Sequence, residues 1–305
     1  MKFTKSIFNV VVLILLSYSR GFAGELKVVS TLTTFADIAS QIGGPYVEVS
    51  SIASPRFNPH FVEPKPTDVL RVKRSDLFIH SGLDLELWKD SLVNAAARAE
   101  VRAGGQRELN LASAVQLLEV PTGVPSRAEG DIHLHGNPHY WLDPNNGIGI
   151  AKRITEKLTE LDVEHAEVFL ENFNQFVLRM KSKMAEWQKQ SGNIRGHKVI
   201  GYHNEWVYLT DYLGLQMERF IEPKSGISPG PQHIQTLKQY ITSSKIRGIF
   251  QASFYPRIES DLLAHETGVT VKILCQNVHE LPQCSDYLAM LDFNIRSIVE
   301  VFHNE

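Results

Sequence analysis

The stretch LKVVSTLTTFADIASQIGGPYVEVSSI, residues 26–52, decides the fold class. Residues 26–30 are rich in apolar and β-branched side chains, which predicts a strand. The next apolar side chains recur at three- and four-residue spacing, which predicts a helix through Phe35, Ile38, Ala39 and Ile42. Gly43-Gly44-Pro45 ends that helix, and residues 47–52 alternate as a second strand does. The stretch therefore predicts a strand–helix–strand unit.

The same alternation of strands and helices continues along the chain. Residues 67–74 predict a helix, and residues 76–80 predict the strand that follows it. In the second half we predict strands at residues 197–202, 247–250 and 269–274, with helices at residues 229–243 and 257–267. Strands that alternate with helices pair in parallel, so the predicted fold class is α/β with parallel sheets.

Two consecutive helices are predicted between these halves. Asp143-Pro144 supplies an N-cap and a first-turn proline for a helix over residues 146–161. A longer helix over residues 163–190 keeps an apolar seam made of Ala166, Phe169, Phe173, Phe176, Met180, Met184 and Trp187. At 1.5 Å per residue this helix spans roughly 40 Å. We interpret it as a rigid helix that joins two lobes, with its aromatic stripe as core packing.

The first 23 residues have the features of a secretory signal peptide. Lys2 and Lys5 precede an apolar run at residues 7–16, and Gly21-Phe22-Ala23 places small residues at the two positions that a signal peptidase recognises. The run is shorter than the roughly 20 apolar residues of a membrane-spanning helix. The cleavage point carries no cysteine for lipid attachment. We predict cleavage after Ala23 and export of a soluble product.

Cleavage leaves about 280 residues, enough for one large or two medium domains. We place an N-terminal lobe at residues 24–145, the connecting helices at residues 146–192 and a C-terminal lobe at residues 193–305. The chain has 43% apolar and 21% charged residues, as a globular protein does. Its net charge of −3 gives no support for nucleic-acid binding.

Cys275 and Cys284 are the two cysteines of the chain. In an oxidising compartment they can close a short loop, and a pair of buried free thiols is equally compatible with the sequence. Their spacing matches no metal-binding motif, so we assign them no chemistry.

Three histidines occur in similar settings: Asn58-Pro59-His60, Asn137-Pro138-His139 and Gly201-Tyr202-His203. A proline before a histidine fixes one backbone dihedral, so the first two imidazoles are presented from stiff loops. The third follows a predicted strand directly. Histidine is the commonest metal ligand among side chains, and three imidazoles from distant segments make a preorganised transition-metal site.

Ligands of open α/β sheets bind at the carboxyl ends of the strands, so we expect His60, His139 and His203 to meet between the lobes. Neutral imidazoles suit Zn²⁺ best, with copper and nickel chemically possible, whereas Mn²⁺ prefers more oxygen ligands. Ligation needs deprotonated imidazole, so affinity should fall as the pH drops through about 6.5. The sequence leaves the fourth ligand open among water, Glu63, Glu205, His279 and Asp286.

The segment Asp131-Ile132-His133-Leu134-His135 precedes the second histidine motif. Its histidines are compatible with transient capture of metal, and equally with a solvated loop that has no role in binding. The remaining histidines have no comparable context, and we interpret them as surface or packing residues: His80, His165, His197, His233, His265, His279 and His303.

Together these motifs resemble those of one protein family, the periplasmic metal-binding proteins of zinc and manganese ABC importers (cluster A-I solute-binding proteins). Residues 58–66 resemble its Pro-His-x-x-Glu-Pro-x-Pro segment, and residues 137–144 resemble its Pro-His-x-Trp-Leu-Asp-Pro segment. Tyr202-His203 is similar to its third ligand motif, and residues 222–229 are similar to the turn before its C-terminal helices. The resemblance covers essentially the whole chain after the predicted signal peptide.

The resemblance implies two Rossmann-like lobes and high-affinity capture of zinc by His60, His139 and His203 in the periplasm. It also implies a monomer that delivers the ion to an inner-membrane ABC permease with a cytoplasmic ATPase. Histidine at the third position favours zinc, because manganese-type members often place a carboxylate there. Two features depart from the pattern: the histidine-rich loop is reduced to His133 and His135, and residues 275–279 hold no clear counterpart of a C-terminal acidic ligand.

Two alternatives remain. The first is a manganese- or iron-type importer component, or a metal buffer or adhesin with the same fold. The second is an exported zinc hydrolase, since three histidines and a water also form catalytic zinc sites, with Glu205 or Glu63 as general base. No His-Glu-x-x-His segment occurs in the chain, and the ligands are divided between two lobes. We therefore expect a binding protein and not an enzyme.

Overall fold

The computed structural model describes residues 25–121 and 135–303. The predicted signal peptide and His133 lie outside these residues. Among the helices that are described, none is both long enough and apolar enough to cross a membrane.

The first sheet has four parallel strands in the order β2-β1-β3-β4. The strands are β1 (Leu26–Ser30), β2 (Val47–Ser51), β3 (Leu77–His80) and β4 (Glu108–Asn110). The helices of this half are α1 (Thr33–Gly43), α2 (Pro66–Arg74) and α3 (Lys89–Ala96). In the register, Val28 pairs with Val49 on one side and with Leu77 on the other. Apolar side chains from the sheet and from α1 fill the core, which explains the apolar spacing of the deciding stretch.

The second sheet repeats this arrangement, with parallel strands in the order β6-β5-β7-β8. The strands are β5 (Lys198–Gly201), β6 (Gln216–Phe220), β7 (Gly248–Ala252) and β8 (Thr270–Leu274). The helices are α6 (Val207–Leu213), α7 (Pro231–Ser243), α8 (Ile258–Thr267) and α9 (Tyr287–Glu300). All five residues of β7 are buried, as expected for a central strand covered on both faces. The predicted α/β fold with two parallel sheets is confirmed.

Helices α4 (Pro144–Leu161) and α5 (Ala166–Gln190) connect the two halves. The Asp143 side chain accepts a hydrogen bond from Asn145 N–H and so caps α4, as the Asp-Pro pair predicts. Helix α5 has 25 residues. It begins later than predicted, because residues 163–165 form a 3₁₀ turn capped by the Asp162 side chain.

Helix α5 is bound to elements from both ends of the chain. Asn172 Nδ2 donates to the carbonyl of Ile42 in α1, and Trp187 Nε1 donates to Asp292 Oδ1 in α9. The predicted seam is confirmed as core packing, since its fully buried members are Phe169, Phe176, Met180 and Trp187. The lobe limits at residues 145 and 193 stay a prediction.

Candidate metal centre

His60 is presented by a 3₁₀ turn, Pro59–Phe61. The side chain of Asn58 accepts a hydrogen bond from His60 N–H at 3.0 Å and so caps the turn. The carbonyl of Pro59 accepts a second hydrogen bond from Trp88 Nε1 at 2.8 Å. Both contacts hold the loop in place, and the His60 side chain is only 9% exposed.

His139 is fully buried and is oriented by Asn137 of the same motif. Asn137 Oδ1 accepts from His139 N–H at 3.0 Å and lies 3.0 Å from His139 Nδ1. An amide oxygen is an acceptor, so Nδ1 carries the proton and Nε2 is left as the electron-pair donor. Asn137 Nδ2 also donates to the carbonyl of Asn204 at 2.8 Å, which connects this loop to the one that carries His203.

His203 lies two residues beyond the end of β5. A side chain at Gly201 would place its Cβ 2.6 Å from the carbonyl oxygen of His203, so this tight turn requires glycine. Glu222 Oε2 lies 2.9 Å from His203 Nδ1, and Glu222 Oε1 accepts from Gly226 N–H. His203 Nε2 is buried and has no hydrogen-bond partner within the described residues. The carboxylate therefore orients the ring with Nε2 available for a ligand.

The three predicted histidines meet at one point. The Nε2 atoms of His60 and His139 are 3.3 Å apart. The centroid of the His203 ring lies 5.6 Å from that of His60 and 5.7 Å from that of His139. One ring nitrogen of each histidine lies within 4.8 Å of those of the others. Nitrogens bound to one tetrahedral Zn²⁺ at 2.0–2.1 Å lie roughly 3.3 Å apart. The 3.3 Å between the Nε2 atoms of His60 and His139 also suits an N–H···N hydrogen bond between these two rings.

The four side chains that the sequence offers as a fourth ligand all lie outside the histidine cluster. Glu63 and His279 are exposed, and Asp286 caps α9 by accepting from Ala289 N–H. Among the described His, Cys, Asp and Glu side chains, the close cluster contains the three histidines alone.

Glu205, two residues after His203, is completely buried, and neither of its oxygens pairs with another side chain. Burial raises the pKa of this carboxyl well above its usual range, and the nearby Glu222 and Glu280 act in the same direction. Backbone N–H groups oppose this shift by less.

Cys275 and Cys284 form a disulfide, which decides between the two alternatives left by the sequence. The loop that the disulfide closes, residues 275–284, contacts the first half of the chain. Thr33 Oγ1 donates to the carbonyl of Val278 at 2.7 Å, and Trp141 Nε1 donates to the carbonyl of Gln276 at 2.8 Å. The cysteines therefore stabilise a loop that joins the two halves next to the site.

His135 is exposed and lies apart from the three histidines. It lines a cavity of about 250 Å³ together with His80 and Glu108. His80 Nε2 is 2.6 Å from Glu108 Oε1, and the packing role of this buried histidine stays a prediction.

Two residues that orient the clustered histidines were not assigned from the sequence. Glu222 begins the segment at residues 222–229, and Asn137 precedes His139 by two residues, but neither was assigned a role from the sequence. The signal for both is the need of each metal-binding imidazole for an acceptor at its second nitrogen.

The model of the family described as zinc-uptake complex component A, periplasmic (ZnuA), matches residues 28–301. The chain belongs to the ZnuA family. This confirms the resemblance to the cluster A-I proteins. It also identifies the chain as the metal-binding component of an ABC importer, that is, as a substrate-binding protein.

Relatives of this ZnuA-family chain are named for different metals. It is 27% identical to the metal ABC transporter substrate-binding lipoprotein FimA of Streptococcus parasanguinis, over 92% of this chain and 91% of the relative. It is 24% identical to the manganese ABC transporter substrate-binding lipoprotein PsaA of Streptococcus pneumoniae, over 92% and 90%. It is 26% identical to the iron-binding protein YfeA of Yersinia pestis, over 81% and 75%.

Solved structures show the same fold. A crystal structure of ZnuA superposes with a TM-score of 0.73 at 20% identity, covering 90% of this chain and 98% of the other. A manganese-bound periplasmic metal-binding protein from Candidatus Liberibacter asiaticus gives 0.75 at 20% identity, covering 90% and 99%. The two-lobe fold is thus established.

Removing the carboxylate beside His203 is expected to weaken metal binding without unfolding the chain. Glu222→Ala leaves His203 Nδ1 without its acceptor, and loss of such an outer partner typically lowers affinity about 10- to 100-fold. Glu222→Gln keeps an acceptor oxygen and should lose less. Competition with a chelator measures both, with Glu218→Ala as control, since Glu218 is an exposed carboxylate in nearby β6. Equal affinities for Glu222→Ala and the unmodified chain would contradict this role.

Proposed function

We propose that this protein captures Zn²⁺ with high affinity in the periplasm and delivers it to an ABC permease. His60, His139 and His203 are the proposed ligands. The observation that supports zinc is the composition of the cluster: three buried imidazoles, with no carboxylate close to all three among the described residues. Imidazole suits Zn²⁺, whereas Mn²⁺ prefers carboxylate, carbonyl and water ligands.

Two orienting contacts support binding through Nε2. Asn137 occupies Nδ1 of His139, and Glu222 occupies Nδ1 of His203. Each ring is thereby held in the tautomer that presents a lone pair to the cluster, so little reorganisation precedes binding. Zinc is the cargo in this proposal, and no catalytic step is assigned to it.

The partners follow from the importer class. We propose that an inner-membrane permease, driven by a cytoplasmic ATPase, receives the ion. Export through a signal peptide cleaved after Ala23 and a monomeric state complete the proposal. The relatives named for manganese and iron make an importer component for one of those metals the second candidate.

Titration of the metal-free protein tests the choice of metal. Residues 24–305 are stripped with a chelator and titrated with Zn²⁺ and Mn²⁺, and the affinities are obtained by competition. We expect one tight Zn²⁺ per chain and a Mn²⁺ affinity lower by orders of magnitude, in line with the general order of divalent ions at nitrogen sites. Tighter binding of Mn²⁺ would overturn the zinc assignment, and no tight binding of either ion would overturn the proposed function.

A further inference from the structure

The carboxylate of Glu119 joins two loops that carry proposed metal ligands. Its Oε2 accepts a hydrogen bond from Asn137 Nδ2 at 3.0 Å and another from Asn204 Nδ2 at 2.7 Å. Asn137 lies two residues before His139, in the first half of the chain. Asn204 directly follows His203, in the second half. One carboxylate oxygen therefore bridges the two halves, through hydrogen bonds of the stronger, charge-assisted kind.

Asn137 transmits this contact to the His139 ring. Its Nδ2 donates to Glu119 and to the carbonyl of Asn204, while its Oδ1 lies 3.0 Å from Nδ1 of the imidazole. The nitrogen and the oxygen belong to one planar amide group, so partners that hold Nδ2 also hold Oδ1. Glu119 is outside the close cluster of three histidines. It therefore acts on the His139 ring through Asn137 and not by coordination.

The contact with Asn204 restrains the turn that carries His203. The carbonyl of Asn204 accepts from Asn137 Nδ2 at 2.8 Å, and its own Nδ2 donates to Glu119. Asn204 is thus held at both its backbone and its side chain. Because His203 shares a peptide bond with this residue, its backbone is restrained here, whereas its ring is oriented by Glu222.

Glu119 makes these contacts from an uncommon backbone conformation. Its φ is 53°, in the left-handed region that residues other than glycine seldom occupy. The preceding residue, Leu118, is fixed from both halves: its carbonyl accepts from Asn137 N–H at 2.9 Å, and its N–H donates to Tyr208 Oη at 3.0 Å. Such conformations persist only where surrounding contacts hold them, and they are frequent at ligand clamps. The backbone therefore points to a role for the side chain that it positions.

We propose that Glu119 is a latch between the two halves, which keeps His139 and His203 close enough to share one ion and slows release of that ion. The inference rests on the proposed function and adds to it a positioning residue and the kinetic step that this residue controls. With the latch in place, both ligand loops are ordered before the ion arrives, so less order has to be gained on binding. Without it the loops move independently, and the same three ligands release the ion faster.

Three substitutions of Glu119 separate the effect of the carboxylate from that of the backbone. Glu119→Ala removes the carboxylate and keeps a side chain in the left-handed conformation. Glu119→Gly removes the carboxylate and suits that conformation, and Glu119→Gln keeps an oxygen acceptor without the charge. Glu164→Ala is the control, because Glu164 is an exposed carboxylate on the 3₁₀ turn before α5 and outside the cluster.

Four measurements are made on each variant. Transfer of Zn²⁺ to an excess of chelator in a stopped-flow instrument gives the release rate, and chelator competition at equilibrium gives the affinity. The absorption spectrum of bound Co²⁺ reports the ligand set. The melting temperature of the metal-free protein reports stability, which a merely structural role would change together with the release rate.

We expect Glu119→Ala and Glu119→Gly to release Zn²⁺ about tenfold faster and to bind it about tenfold less tightly, the lower end of the usual effect of outer partners. The Co²⁺ spectrum should not change, because the three ligands are kept. Glu119→Gln should recover most of the loss, and the control should match the unmodified chain. Asn204→Ala added to Glu119→Ala should not speed release further, since both changes remove the same bridge.

Unchanged release rates in folded Glu119→Ala and Glu119→Gly variants would overturn the inference and leave zinc binding by the histidines intact. Release rates that follow the melting temperature of the metal-free protein across the variants would overturn it as well. If the alanine variant does not fold, the glycine variant, whose backbone is relaxed, decides. Absence of metal binding by the unmodified chain would refute the proposed function itself.

Discussion

Replacement of His60, His139 and His203 together by alanine is expected to abolish tight zinc binding. Structural zinc sites with four ligands contribute about 10–16 kcal/mol, so each ligand accounts for on the order of 3 kcal/mol, or about a hundredfold in affinity. Each single variant should therefore lose about two orders of magnitude, and the triple variant should retain no measurable site. Calorimetry and chelator competition give these affinities directly.

The thermal stability of the same variants provides a second measurement. A ligand at a thousand times its Kd stabilises the native state by about 4 kcal/mol, so excess Zn²⁺ should raise the melting temperature of the unmodified protein by several degrees. The triple variant should show no such rise. His265→Ala is the control, because His265 is an exposed histidine on α8, away from the cluster. A zinc-dependent rise that persists in the triple variant would mean that other residues hold the ion.

The sequence was sufficient for the fold class because parallel strands are buried on both faces. Their apolar runs, such as β1 and β7, stand out between amphipathic helices. Strand β6 was missed because it is an edge strand whose residues are largely exposed and polar. Strand β4 has only three residues, too few for a recognisable pattern.

The three histidines were also found from the sequence, because their Asn-Pro-His and strand-end settings are local. Their orienting partner Glu222 was not assigned, since it lies 19 residues from His203 and only the folded sheet brings the two together. Local patterns predict ligands, whereas the contacts that orient them depend on topology.

Opening the Cys275–Cys284 disulfide is expected to destabilise the protein by about 2–3 kcal/mol. The bridge closes a loop with a sequence separation of 9, and cross-links of short loops lie at the lower end of the usual 2–4 kcal/mol range. Metal affinity should fall as well, by about tenfold, because the loop accepts the hydrogen bond of Trp141, whose ring lies beside His139, and a freed loop must be reordered to restore that contact. Urea unfolding of oxidised and reduced protein measures the first effect. The Cys275→Ala/Cys284→Ala variant measures the second, since thiol reductants bind zinc.

The loss of affinity depends on how the loop is held in the reduced protein. Two hydrogen bonds join Thr33 and Thr34 to the carbonyl and N–H of Val278, and each such bond contributes about 1 kcal/mol net. The disulfide, at about 2–3 kcal/mol, therefore contributes at least as much as both bonds together. The Thr33→Val/Thr34→Val variant removes these bonds and leaves the disulfide intact, so it should affect zinc affinity less than loss of the bridge does. The opposite ranking would show that the contacts with α1, and not the disulfide, hold the loop against the site.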